Sequence, residues 1–287
     1  MLPNGRDTVH TAQTRIIYVT KRNGPKSKYT WAMQETAYPD INEILDSLLS
    51  QMRHILRERL VGLYLYGSLT TEDFDFVTSD IDLLAATLCD LNDTELEELR
   101  KMHRDLARDN KAWEDRIEVA YLSVTGLRTF RVQSNNMAVI SPGEPFHVKE
   151  AGEDWLMNWY MVRERGVALF GPPPKAIIDP ITHAEFVQAV RDHAAAWGGG
   201  IELRPRRNEQ AYAILTMCRA LYTHKNGEQV SKRQAALWTQ EELPEWSRLI
   251  QSALEWRQAW REEQVDHTAT YPETVRFVNF MRDQILA

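Results

Sequence analysis

The apolar positions along this chain change period several times, and each change marks an element. Between Pro39 and Arg59, Ile41, Ile44, Leu45, Leu48, Leu49, Met52, Ile55 and Leu56 recur at helical spacing and predict one long amphipathic helix. Val61 to Tyr66 is a short continuous apolar run, read as a strand, and it stops at Gly67-Ser68. A polar loop rich in Thr, Asp and Glu leads to a second strand. There Asp80 and Asp82 occupy alternate positions ahead of Leu83, Leu84, Ala85 and Ala86. Asp93 is placed to cap a helix from Thr94 to Ala107, with Leu96, Leu99, Met102 and Leu106 on its buried side. RIEVAYLSV, residues 116–124, has the β-branched and aromatic content of a third strand, with Glu118 its only acid. Residues 125–150 show no clear pattern, and before Pro39 only Arg15–Thr20 suggests a short strand.

The second half of the chain reads as helix. Trp155 to Arg165 is an aromatic-rich helical segment, and Gly166–Phe170 a short apolar run closed by Gly171-Pro172-Pro173-Pro174. Prolines in sequence can continue neither element, so they mark a stiff passage between two domains. Thr182 with Glu185 has capping-box spacing and opens a helix toward Trp197, which Gly198-Gly199-Gly200 breaks. Asn208 to Lys225 is the next helix, stopped by Asn226-Gly227. Ser231 with Gln234 opens another, running to Glu242. Pro244 starts a fourth, and Thr270 caps the last, which ends at Leu286. Short connections between four or five such helices describe a bundle. The expected organisation is an N-terminal extension over residues 1–35, an α+β domain over 36–175 and a C-terminal α-helical bundle over 176–287.

Composition narrows the class only slightly. With 287 residues, 43% hydrophobic and 26% charged, the chain is long enough for two cores. No apolar window is long enough to span a bilayer, and no signal peptide is visible, so no membrane partner and a cytoplasmic location are expected. Cys89 and Cys218 both lie in apolar context and are expected as buried thiols, with no disulfide. A net charge of −7 argues against a nucleic-acid partner.

The chemistry lies in residues 61–86. Alternate residues of a strand point the same way, so the Asp80 and Asp82 carboxylates share a face about 7 Å apart along the backbone. Two acids at the mouth of an apolar strand are costly without a cation, and Mg²⁺ suits them because phosphate oxygens can complete its shell. Gly67-Ser68 supplies backbone that can approach a phosphate closely and a hydroxyl to bind it.

A strand, Gly-Ser, eleven residues, D-x-D and a further strand resemble the nucleotidyltransferase superfamily signature. That resemblance implies a polymerase-β-type domain, a mixed sheet with flanking helices. Residues 213–238, AILTMCRALYTHKNGEQVSKRQAALW, together with Arg163–Gly166 and Leu169–Pro172, resemble the aminoglycoside (3″)(9) adenylyltransferase family, which adenylylates streptomycin and spectinomycin. The likeness covers about residues 40–285 and leaves residues 1–35 outside it.

It implies Mg-dependent transfer of AMP from ATP, as co-substrate, to a small-molecule antibiotic, by a monomeric enzyme. It also implies that Asp80, Asp82 and Glu118 hold magnesium, that Glu118 is in addition the catalytic base, and that Gly67, Ser68, Ser79, Arg219 and Lys232 bind the nucleotide. Glu209 then contacts the antibiotic, with Trp197 a second candidate. The family carries a Trp and an Asp in the loop ahead of the Arg219 helix. Here that loop runs from Trp197 to Arg207, has no Asp, and is basic at Arg204, Arg206 and Arg207. Two other functions use the same residues: adenylyl transfer to a protein or RNA partner, as in toxin–antitoxin pairs, and a non-catalytic ATP sensor. The large helical half favours a small acceptor, and the complete acid set tells against a sensor.

Overall fold

A computed structural model describes residues 36–71, 74–197, 205–258 and 266–287. The suggested strand Arg15–Thr20, the extension 1–35 and most of the loop after Trp197 lie outside the described residues.

Helix α1, Pro39–Leu56, leads into strand β1, Leu60–Tyr66, and β2, Ile81–Thr87, returns antiparallel beside it. Helix α2, Asp93–Asp109, then crosses over to β3, Ile117–Ser123, which runs parallel to β2. Parallel neighbours need such a crossover, because a tight turn can only reverse the chain. After α3, Val124–Thr129, the hairpin β4, Asn135–Ser141, and β5, Glu144–Ala151, extends the sheet. Helix α4, Leu156–Arg165, returns the chain to β6, Val167–Phe170, which pairs antiparallel with β1. The sheet is six-stranded in the order β5-β4-β3-β2-β1-β6.

Strand alternation divides the apolar residues between two layers. Leu63, Leu65, Leu83, Ala85 and Val119 pack under Ile41, Leu45, Leu48, Met52 and Leu99 of α1 and α2. Tyr64, Leu84, Ala86, Ala120 and Leu122 face the other way, toward Leu156, Trp159 and Val162 of α4. Each large apolar side chain fully buried here stabilises the fold by about 1.5–3 kcal/mol. The face under α4 is also the face on which Tyr66, Asp82 and Glu118 project.

The C-terminal half consists of α5, His183–Ala196; α6, Arg207–Asn226; α7, Lys232–Glu242; α8, Ser247–Gln258; and α9, Tyr271–Leu286. Helix α6 is the axis of this bundle, with Ile214, Leu215, Met217, Cys218 and Leu221 at most 3% exposed. Gln210, fully buried, donates to the His267 carbonyl and accepts from the Thr270 and Thr274 hydroxyls, which ties α6 to the start of α9. Gly227 ends α6 in the left-handed region at φ 75°, the conformation that a glycine stop provides.

Some sequence expectations change. The capping boxes at Thr182/Glu185 and Ser231/Gln234 form, but α2 is capped by Asn92 with Glu95, one residue ahead of Asp93. Thr270 does not cap α9: its backbone is already helical, at φ −97° and ψ −10°, and its hydroxyl is turned toward Gln210. Residues 125–150 hold α3 and two further strands. The outer strand β5 is exposed at Glu144, Pro145, His147's neighbour Val148 and Glu150, so it lacks the apolar alternation of a half-buried strand. Cys218 is buried, but Cys89 is exposed just after β2, where Arg59 Nη2 donates to its Sγ at 3.2 Å.

His103 of α2 is 3% exposed and its Nε2 lies 2.7 Å from the Tyr121 hydroxyl. Burial pushes its pKa down to about 3. The unfolded chain protonates His103 near pH 6.5, so stability is whole above that pH and declines as pH falls toward 3. Between pH 7 and 5 the loss from this group should be about 2 kcal/mol. Urea unfolding across that range should show a flatter pH dependence for His103→Gln than for the unmodified protein; equal slopes would remove His103 from the balance.

Candidate active site

The register of the three central strands sets the site. Tyr66 of β1 pairs with Asp82 of β2, and Asp82 pairs with Glu118 of β3, so the three side chains stand in a row across one face. Tyrosine is long enough to reach past its neighbour: the Tyr66 hydroxyl lies 3.2 Å from Glu118 Oε1 and donates to it. Asn158 of α4 also hydrogen-bonds the Tyr66 side chain. Asp80 precedes β2 by one residue and lies on the same side of the strand as Asp82.

Two tight segments frame the row. Gly67 has φ 72°, and a Cβ built there would lie 1.9 Å from Asp82 Oδ2. Only glycine lets the backbone pass this close to the carboxylate. Ser68 follows in the short 3₁₀ turn Gly67–Thr70. On the other side, Asp75 Oδ1 accepts from the Val77 and Thr78 amides, and Ser79 Oγ accepts from the Asp75 amide at 3.0 Å. Buried Arg116 closes this turn from β3's end. It donates to the Phe76 carbonyl at 2.9 Å and to the Ser79 carbonyl, and its guanidinium lies 4.2 Å from the Trp113 ring centroid. The loop that presents Asp80 is thereby fixed to the strand that presents Glu118.

The electrostatics are those of crowded acids beside crowded bases. Asp82 is held well above the usual carboxylate range, by desolvation first and then by repulsion from Glu118 and Asp80. Desolvation also raises Glu118, opposed by the Tyr66 hydrogen bond. Asp80 is raised by desolvation too, offset by Lys232, Arg116 and Arg257. Lys232, half-buried at the start of α7, is pushed down to about 7 by desolvation and by the neighbouring Arg219 and Arg257, with Asp80 and Asp82 acting in the opposite sense. Its Nζ stands 4.3 Å from the Tyr212 ring centroid. The helical half thus delivers cations from α6, α7 and α8 to the acids of the sheet.

The all-oxygen donor set of Asp80 and Asp82, with ionisation disfavoured until a cation arrives, fits a hard divalent ion. Among the described residues no three His, Cys, Asp or Glu side chains are arranged to hold a metal by themselves. Such an ion would need oxygens from a ligand.

Of the residues singled out in the sequence, Gly67, Ser79, Asp80, Asp82, Glu118, Arg219 and Lys232 come together around this row. Glu209 occupies the first turn of α6 and is half-buried. Trp197 is 4% exposed and belongs to the core of the helical bundle, its Nε1 donating to His193 Nε2 at 3.2 Å. That packing places it in the core of the bundle. Tyr66, Asn158, Arg116 and Arg257 were not visible as site residues. Tyr66 ends an apolar strand like any core tyrosine, and the two arginines sit among charges on exposed-looking segments.

Gly67→Ala should displace Asp82 as well as strain the turn. A loss of about 1 kcal/mol or more in thermal or urea stability is expected. Binding of Mg²⁺, followed by calorimetry in the presence of ATP, should be lost with it. A variant with unchanged metal binding would show that the backbone can move aside.

Residues 176–284 match the family model for the aminoglycoside adenylyltransferase C-terminal domain. Among curated proteins, the aminoglycoside (3″)(9) adenylyltransferase of Escherichia coli is 23% identical over 270 residues, covering 88% of this chain and 98% of the relative. That of Shigella flexneri is 22% identical over 269 residues, with the same coverage. The fold is shared with the spectinomycin adenyltransferase AAD(9) from Enterococcus faecialis, solved with ATP and spectinomycin. The match has a TM-score of 0.66 and 18% identity, and covers 86% of this chain and 99% of that one. The C-terminal match, the near full-length relatives and the shared architecture point the same way: the chain is similar to the aminoglycoside (3″)(9) adenylyltransferases.

Proposed function

We propose that this protein transfers AMP from ATP to a hydroxyl of spectinomycin or streptomycin, releasing pyrophosphate. The observation that carries the reading is the paired Asp82 and Glu118, faced by cations from the helical half. The antibiotics and ATP named for the relatives support the choice of acceptor and donor. Asp80 and Asp82 would hold Mg²⁺, which when bound neutralises triphosphate charge at the reacting phosphorus.

The chain's own residues supply the rest. Glu118 accepts the proton of the acceptor hydroxyl while that oxygen forms its bond to the α-phosphorus. Tyr66 holds Glu118 by the 3.2 Å hydrogen bond, which favours the ionised carboxylate needed for that step. The bond from the α-phosphorus to the bridging oxygen breaks, and pyrophosphate leaves with the electron pair. Arg219 and Lys232 meet that departing charge, and Gly67, Ser68 and Ser79 line the phosphate path. Glu209, at the mouth of α6, suits a cationic or polyhydroxyl acceptor. On this reading residues 36–175 and 176–287 form two domains with the active site between them. The enzyme works as a monomer in the cytoplasm, where ATP is available; among the described residues no helix is long and apolar enough to cross a membrane.

Pyrophosphate release from Mg-ATP should require added spectinomycin or streptomycin. Release that is independent of either would point to another acceptor. Glu118→Gln should lower kcat by roughly 10²–10⁴-fold, the usual worth of a positioned general base, while ATP affinity measured by calorimetry stays within about twofold of the unmodified protein. A fully active variant would remove Glu118 as the base.

A further inference from the structure

Arg257 lies near the end of α8 and reaches across to the sheet half, where its Nη2 donates to Ser79 Oγ at 3.4 Å. The two residues are 178 positions apart in the chain. Its charge acts both on Asp80 and on Lys232. Three successive helices of the bundle therefore each send one cation to the same place: Arg219 from α6, Lys232 from α7 and Arg257 from α8.

Like charges gathered in this way repel, and a bound polyanion relieves the repulsion. Among the described residues, the hydrogen bond that Arg257 makes goes to a neutral hydroxyl. A guanidinium has five N–H donors in a planar fork that matches phosphate oxygens two at a time, so most of that capacity is available to a ligand. Ser79 immediately precedes Asp80, so a group bonded to its hydroxyl is already beside the metal-binding acids.

We propose that Arg257 is a third phosphate-binding residue, which with Arg219 and Lys232 takes the β- and γ-phosphates of ATP and then the departing pyrophosphate. This deepens the adenylyl-transfer reading and rests on it. The β- and γ-phosphates are the part of the nucleotide that AMP lacks, so Arg257 distinguishes the triphosphate from the monophosphate. Through Ser79 it also joins the helical half to the loop carrying Asp80.

Calorimetric titration with three probes tests this: the non-hydrolysable α,β-methylene analogue of ATP with Mg²⁺, inorganic tripolyphosphate with Mg²⁺, and AMP. Arg257→Ala should weaken the analogue and tripolyphosphate by about tenfold or more, as loss of a charge-assisted hydrogen bond does, and leave AMP unchanged. Arg257→Lys should recover part of the affinity. Arg257→Gln, which can still donate to Ser79 Oγ, should bind like the alanine variant. Equal triphosphate binding by the unmodified protein and Arg257→Ala would overturn the proposal while leaving the transferase reading intact. Parallel weakening of all three probes would reduce Arg257 to a structural latch and equally overturn it. If the unmodified protein bound neither triphosphate probe, the adenylyl-transfer reading itself would fall.

Discussion

Much of this structure follows from one unfavourable pairing. Asp82 and Glu118 are direct neighbours on parallel strands, and strand geometry leaves their Cα atoms only about 5 Å apart. Neither can withdraw without breaking a strand packed on both faces. Their charges therefore have to be answered from outside the sheet. Tyr66 supplies a hydrogen bond to one of them, a bound cation suits the two aspartates, and Arg219, Lys232 and Arg257 bring positive charge from three helices. Gly67 owes its identity to the same crowding, since Asp82 fills the space a side chain would need.

The division of labour between the halves has a simple electrostatic basis. Here the acids come from the sheet and the bases from the helices, and both groups are poorly solvated where they meet. Lys232 pushed down to about 7 and Asp82 held above its ordinary range are two sides of that arrangement. The halves are also fastened away from the site. Arg131, just beyond α3, donates to Glu185 of α5 at 2.8 Å and to the Pro180 carbonyl at 2.7 Å. Tyr160 of α4 stacks on Phe186 of α5 with centroids 4.0 Å apart. These contacts keep α6, α7 and α8 in reach of the acids.

Sequence alone determined the elements whose cause is local. Helical spacing of apolar residues gave α1 and α2, capping boxes placed the starts of α5 and α7, and Gly227 placed the end of α6. The D-x-D spacing put Asp80 and Asp82 on one side of a strand, and the Gly-Ser turn marked the backbone that passes close to Asp82. Those features depend on residues within a few positions of one another, where periodicity and turn chemistry act. Strand β5 escaped the same reading because an outer strand open to solvent need not alternate, and β4 because its buried stretch is only Met137, Ala138 and Val139.

Tertiary structure decided everything that depends on register or reach. Nothing near Tyr66 in the chain says that it stands opposite Asp82 and can touch Glu118, because pairing between β1, β2 and β3 fixes that. Arg116 reads as an ordinary strand-end cation until its guanidinium is seen holding the Ser79 carbonyl. Arg257 reads as one more charge on an amphipathic helix until the bundle carries it to a serine 178 residues away. Trp197, which ends its helix at a glycine run, is placed by packing in the bundle core. The acids were legible because a strand sets their spacing over two residues. The groups that make those acids tolerable were not, because packing between separate elements brings them there.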